Sequence, residues 1–145
     1  MRILGIDFGD RSLGLAISDP LLLTAQALGR YRTQNKEKDK KYFQELVSRY
    51  EIGEIVIGLP LRMDGSSGTR VEKTKKFARW LETTLSLPVT FWDERLTTRQ
   101  ALKIISGRKT DFRKKKILKD QISASLILSS YLESKKAHND DTQSH

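Results

Sequence analysis

Residues 1–19 read MRILGIDFGDRSLGLAISD, and the parsing of this stretch decides the fold. Ile3, Leu4, Ile6 and Phe8 are strand formers, Gly9 and Asp10 carry turn chemistry, and Leu13 to Ile17 return as a second apolar run. A β-hairpin is expected. It leaves Asp7 at the end of an apolar strand, where an unpartnered charge is costly. An ionised Asp7 therefore needs a cation, a cage of hydrogen bonds or an opening to solvent. Capping the turn through Gly9 is its purely structural alternative.

Working outward, Asp19 and Pro20 mark a turn, and 22–33 (LLTAQALGRYRT) reads as a third strand with a break near Gly29. From 35 to 51, Phe43, Leu46, Val47 and Tyr50 recur at helical spacing opposite a lysine-rich face, and Gly53 is the expected stop. The run EIVIGL (54–59) lies between glycine and proline, as a central strand buried on both faces does. After the polar loop PLRMDGSSGT (60–69), Thr69 and Glu72 form a capping-box pattern for a helix with Val71, Thr74, Ala78, Leu81 and Leu85 along one side. VTFWD (89–93) is a further strand. Thr97 and Gln100 offer a second capping box, for a short helix carrying Ala101, Leu102 and Ile105. A long final helix, apolar or small nearly all round from Ile122 to Leu132, must lie against the sheet. Trp80 and Trp92 are read as packing residues rather than as base-stacking platforms.

The order βββαβαβαα predicts an α/β domain over 1–136, with a mixed five-stranded sheet and helices on both faces, and a disordered polar tail over 137–145. With no apolar run near the roughly 18 residues that cross a bilayer, and no secretory signal at the start, a cytoplasmic protein is expected. The chain has no cysteine, and His138 and His145 both fall in the tail, which argues against a zinc site and a histidine-dependent triad. The formal net charge is +9, and residues 103–119, with eight Lys/Arg against one acid, carry +7 of it. Such an excess suits a polyanion; the plain alternative is a solvated basic loop.

Three acids stand at ends or starts of apolar elements: Asp7, Glu94 and Asp120. If both strands are central and parallel, Asp7 and Glu94 emerge at the carboxyl edge of the sheet, and the last helix brings Asp120 towards them. Two unit charges about 4 Å apart repel by roughly 4 kcal/mol at an effective dielectric near 20. Gathered carboxylates therefore call for a cation, and oxygen ligands alone favour Mg²⁺ or Mn²⁺. Such ions suit phosphoryl displacement. Each acid also has a structural alternative: Glu94 can pair with Arg95 or Arg99, and Asp120 can sit favourably near a helix N-terminus. By strand alternation only one of Asp93 and Glu94 can share a face with Asp7.

The stretches GIDFGDRSLGLAISD, VIGLPLRMDGSSG, DERLTT and KDQISASLILSSYL, in this order, resemble the YqgF/RuvX family over nearly the whole chain apart from the tail. The resemblance implies an RNase H-like fold and a metal-dependent nuclease of the bacterial cytoplasm. That nuclease would either resolve Holliday junctions or mature the 5′ end of 16S ribosomal RNA. Motif by motif it assigns the metal-holding acids to Asp7, Glu94 and Asp120. Small positions of the final helix that are often alanine in the family are Ser123 and Ser125 here, still small enough for close packing. Gly9, Arg11, Arg62, Arg70, Arg95, Arg113, Lys114 and Lys115 are the candidate substrate contacts.

The favoured expectation is a nuclease acting on pre-16S rRNA, in precursor ribosomal particles, as a monomer or homodimer. A resolvase of branched DNA predicts a symmetric dimer, and a non-catalytic RNA- or ribosome-binding module predicts binding without turnover. The hairpin would also fit an actin-like ATPase or sugar kinase, but those folds need two such domains.

Overall fold

The computed structural model describes residues 1–61, 68–97 and 123–143, with side chains as far as Lys136. Its strands are β1 (Arg2–Phe8), β2 (Ser12–Ser18), β3 (Ala25–Arg32), β4 (Ile52–Leu59) and β5 (Val89–Asp93). The helices are α1 (Lys36–Tyr50), α2 (Thr69–Leu85) and α3 (Ala124–Gln143). One mixed sheet has the order β3-β2-β1-β4-β5, with β1–β2 and β2–β3 antiparallel and β1–β4 and β4–β5 parallel. The expected antiparallel and parallel parts are both present.

The apolar runs of β1, β2 and β4 are continuous because both faces of the sheet are covered. Leu4, Ile6, Leu13, Leu15, Ile17, Ile55 and Ile57 join Phe43 of α1 and Ala78 and Leu81 of α2 in one core. Ile3, Ala16 and Val56 join Ala124, Leu128, Tyr131 and Leu132 of α3 in the other. The weak alternation of 22–33 has its cause here: β3 is an edge strand, largely exposed. Near Gly29, at φ 106, the pairing with β2 skips one residue, a bulge of the kind that blunts sheet edges. Before it, the Asp19 carboxylate accepts from the backbone N–H groups of Thr24, Leu23 and Leu21, which organise the turn and hold this acid below its ordinary pKa.

Several expected boundaries move. Helix α1 starts after Asn35, whose side chain accepts from Lys38 N, and ends at Glu51 in the left-handed region (φ 53) rather than at Gly53. Gly53 lies inside β4, where a Cβ would come within 2.4 Å of Met1 Sδ, so it is small for a close approach and not for a helix stop. Thr69 does not cap α2: Gly68 is the N-cap and Thr69 is already helical. Thr97 is likewise within a helical turn that begins at Glu94, and its hydroxyl accepts from Trp92 Nε1. The short helix expected after it lies outside the described residues. Helix α3 runs on to Gln143, so 137–143 of the expected disordered tail is helical. A helix already nucleated against a sheet extends at little cost through residues such as Lys136 and Ala137.

Helix α3 approaches β1 closely. A Cβ on Gly5 would lie 2.8 Å from Leu128 Cβ and 3.2 Å from the Ala124 carbonyl oxygen. The buried small residue at this contact is Ala124, whereas Ser123 is exposed and Ser125 half-buried. Substituting Gly5→Ala should therefore cost about 1–3 kcal/mol through overpacking, read as a lowered urea midpoint at unchanged m-value.

Candidate active site

Side chains alternate across β1. Leu4 and Ile6 enter the α1/α2 core, while Ile3 and Gly5 meet α3, so Asp7 falls on the α3 face at the carboxyl end of the strand. Pairing with β2 sets Asp7 opposite Gly14, and pairing of β2 with β3 sets Gly14 opposite Arg30. The three residues form one row. A Cβ on Gly14 would lie 3.3 Å from Asp7 Cβ and 3.5 Å from an Arg30 guanidinium nitrogen, so this glycine lets carboxylate and guanidinium share the space between them. Arg30 is held by bonds of 3.0 and 3.1 Å to Ser12 Oγ.

Glu94 reaches the same place from β5. The parallel pairing of β1 with β4 runs to Ile6–Ile57, so Asp7 and Gly58 follow side by side. A Cβ on Gly58 would come within 3.1 Å of Glu94 Oε1 and 2.5 Å of Ile127 Cδ1. Gly58 thus leaves room for the Glu94 carboxylate over the end of β4 and for α3 above it. Asp93 and Glu94 differ in their surroundings. Asp93 takes Arg95, with Nη2 at 2.6 Å and Nε at 3.0 Å from both carboxylate oxygens, and also accepts from Arg95 N. Strand parity stops applying at Glu94, the first residue of the helical turn.

The electrostatics follow from burial. Asp7 is pushed above its ordinary pKa by desolvation, which the positive charges of Arg30 and Arg70 only partly offset. Glu94 is pushed up to about 7, first by desolvation and then by the Asp7 charge, with Arg70 opposing and Asp93 adding to the rise. Two acids that each raise the energy of the other's ionised form can accept a cation or share a proton.

The candidate contacts divide. Arg70 is exposed on the first turn of α2, its Nη2 donating to the Phe8 carbonyl oxygen at 3.1 Å, and its charge acts on both acids. Arg11 is exposed at the hairpin turn, with its carbonyl bound by Thr33 N at 3.1 Å. Arg95 is engaged by Asp93. A Cβ on Gly9 would lie 2.5 Å from the Ser12 carbonyl oxygen, so the hairpin itself requires this glycine. Asp120, Arg62, Arg113, Lys114 and Lys115 lie outside the described residues. Among the described residues no group of three acids or histidines comes together. Arg30, Gly14 and Gly58 were not singled out from the sequence. The only signal for Arg30 was its place beside the Gly29 break, which becomes informative once the register sets it across from Asp7.

Comparison with known proteins was made against this geometry. A family model described as RuvX, Holliday junction resolvase, matches residues 1–134. A protein of Syntrophus aciditrophicus named "Putative pre-16S rRNA nuclease" is 46% identical over 133 residues, covering 92% of this chain and 89% of that protein. One of the same name from Halothermothrix orenii is 42% identical over 132 residues, covering 91% and 94%. Among solved structures, Thermus thermophilus RuvC in complex with a Holliday junction substrate aligns over 94% of this chain and 96% of that one, with a TM-score of 0.55 at 15% identity. That likeness is one of fold, an α/β RNase H-like fold. Among the described residues no helix is long and apolar enough to cross a membrane.

Because the folded state holds the Glu94 proton more tightly than the unfolded chain, the contribution of this group to stability is fully present below about 4.5 and lost as pH rises towards 7. In EDTA, the stability of wild type relative to Glu94→Gln should fall across that window, measured by urea unfolding at each pH. Parallel curves for the two proteins would contradict the assigned environment.

Proposed function

This chain belongs to the RuvX family and is a nuclease hydrolysing phosphodiester bonds, and from that premise we propose that it cleaves pre-16S rRNA in the cytoplasm with Asp7, Glu94 and Asp120 as its metal-holding acids. The observation that carries the reading is the meeting of Asp7 and Glu94 at one edge of the sheet, both raised above their ordinary pKa by burial and Glu94 further by the Asp7 charge. The rRNA substrate follows from the names of the curated relatives.

The donors fit a hard divalent cation, Mg²⁺ or Mn²⁺: they are carboxylates, the chain has no cysteine, and both histidines stand in its last eight residues. Asp120 supplies the third carboxylate. It is three residues from Ser123, a reach of at most about 11 Å, and α3 begins over the same end of the sheet, with Ile127 against Gly58 and Ala124 against Gly5. When bound, such a cation activates water and stabilises the charge that develops on the phosphoryl oxygens. The chain's own groups orient the substrate. Arg30 and Arg70 flank the acids and bring positive charge to the approaching phosphate, and the basic stretch with Arg113, Lys114 and Lys115 holds the polynucleotide further along, with Arg11 and Arg62 beside the hairpin and the polar loop. Arg95 acts through Asp93, fixing the turn that presents Glu94.

Cleavage of precursor 16S RNA and of a four-way DNA junction by wild type and Asp7→Asn, each with Mg²⁺, Mn²⁺ or EDTA, tests the proposal. Wild type should cut the RNA in a metal-dependent way, and Asp7→Asn should lower the rate at least about a hundredfold while melting no lower than wild type. Preferred cutting of the junction, with a dimer by mass measurement, would make branched DNA the substrate. Metal-independent binding of RNA with no product would leave only a binding module.

A further inference from the structure

On the face opposite the acids, but at the same end of the sheet, a groove of about 490 Å³ runs between the start of α1 and the side of α2. Its floor is a row of half-buried aromatic rings. Phe8 lies 5.3 Å from Phe77, and Phe77 5.9 Å from Trp80 at an interplanar angle of 29°. Lysines stand on both walls, Lys36 on α1 and Lys73 and Lys76 on α2, all exposed. The groove also contains two acids, each engaged. Asp10 is 3.7 Å from Lys73 Nζ, and the buried Asp39 accepts from Tyr31 Oη at 2.6 Å and from Gln34 N at 3.0 Å.

We infer that this groove binds a single-stranded RNA segment flanking the scissile phosphate, with one base against the Phe77–Trp80 rings and its phosphates on Lys36 and Lys76. The inference rests on the nuclease reading above and adds a binding site outside the carboxylate edge. Aromatic rings beside cations form the usual platform for unpaired nucleotides, whose bases are free to stack on protein. A duplex keeps its bases stacked within itself, and a cavity of this size admits no more than one or two of them. Thr33 and Gln34 on the groove wall bring polar groups to a ribose hydroxyl. Continuity with the site is covalent: Phe8 follows Asp7 on β1 with its side chain on the other face, and its carbonyl is held by Arg70, whose charge also acts on both acids. A strand passing over this end of β1 would meet the carboxylates on one side and the groove on the other.

Fluorescence anisotropy in EDTA, with the full chain and a short labelled RNA strand, the same sequence as a DNA strand and the same sequence as an RNA duplex, tests this. The double variant Lys36→Glu, Lys76→Glu changes only exposed side chains and should weaken binding of the RNA strand about tenfold, with a smaller loss on the duplex. Trp80→Ala should weaken it at least about fivefold, and Trp80→Phe should recover most of the loss. Equal losses on strand and duplex, equal wild-type affinity for RNA and DNA strands, or unchanged affinity in the lysine variant would overturn the assignment. If Trp80→Ala does not fold, the lysine variant alone decides. A failed carboxylate site shows as wild type that does not cut RNA in a metal-dependent way, and a failed groove as unchanged strand binding by the lysine variant in EDTA, so the two failures are separately visible.

Discussion

The structure turns on two carboxylates placed at the same edge of the sheet, close enough for the charge of Asp7 to act on Glu94. Asp7 lies near the end of β1 and Glu94 directly follows β5, with β4 between the two strands, and Gly58 leaves room for the Glu94 carboxylate over the end of β4. Burial and mutual repulsion make the pair unfavourable in its ionised form. Nothing in packing rewards that arrangement. A fold that keeps it gives up stability that a pair of apolar residues would supply, and a shared proton or a bound cation relieves the repulsion.

The rest of the architecture reads as support for this edge. Among the described residues two helices cover one face and one covers the other, so the middles of β1 and β4 are buried and cannot shift register without turning their side chains to the wrong core. The hairpin carries Asp7 to its place. Its partner positions then bring Gly14 and Arg30 into line, which sets a positive charge beside the acid without filling the space in front of it. Arg70 closes the other side from α2 while holding the Phe8 carbonyl. Positive groups close enough to temper the acids, yet exposed, are suited to exchanging their partner for a phosphate.

How much of this was legible follows from what periodicity can express. The apolar runs of 3–6, 13–17 and 54–59 identified the buried strands, and the helical spacing of Phe43 with Val71, Thr74, Ala78 and Leu81 identified the faces that cover them. Asp7 stood out because an acid interrupts an apolar strand. Parity could not separate Asp93 from Glu94, because the strand gives way to a helical turn between them and alternation loses its meaning there. Arg30 escaped notice for a related reason: its neighbourhood depends on two successive strand registers and a bulge, none of which is written in local spacing. The capping boxes failed more simply. Thr69 and Thr97 had the right neighbours, but Gly68 starts α2, and the later helical turn has already begun at Glu94.

In the middle of α3, Tyr131 Oη donates to Glu54 Oε2 at 2.5 Å, and Lys135 Nζ lies 3.1 Å from Oε1 of the same glutamate, while Trp92 Nε1 reaches Ser130 Oγ at 3.1 Å. These polar ties lock the helix to β4 and β5 about 10 Å along its axis from Ala124. The helix is therefore held twice, by these polar bonds and by Ala124, Ile127 and Leu128 packed closely over Gly5 and Gly58. Glu54 thus anchors the same helix that covers the carboxylate edge, so a residue remote from both acids bears on how that edge is packed.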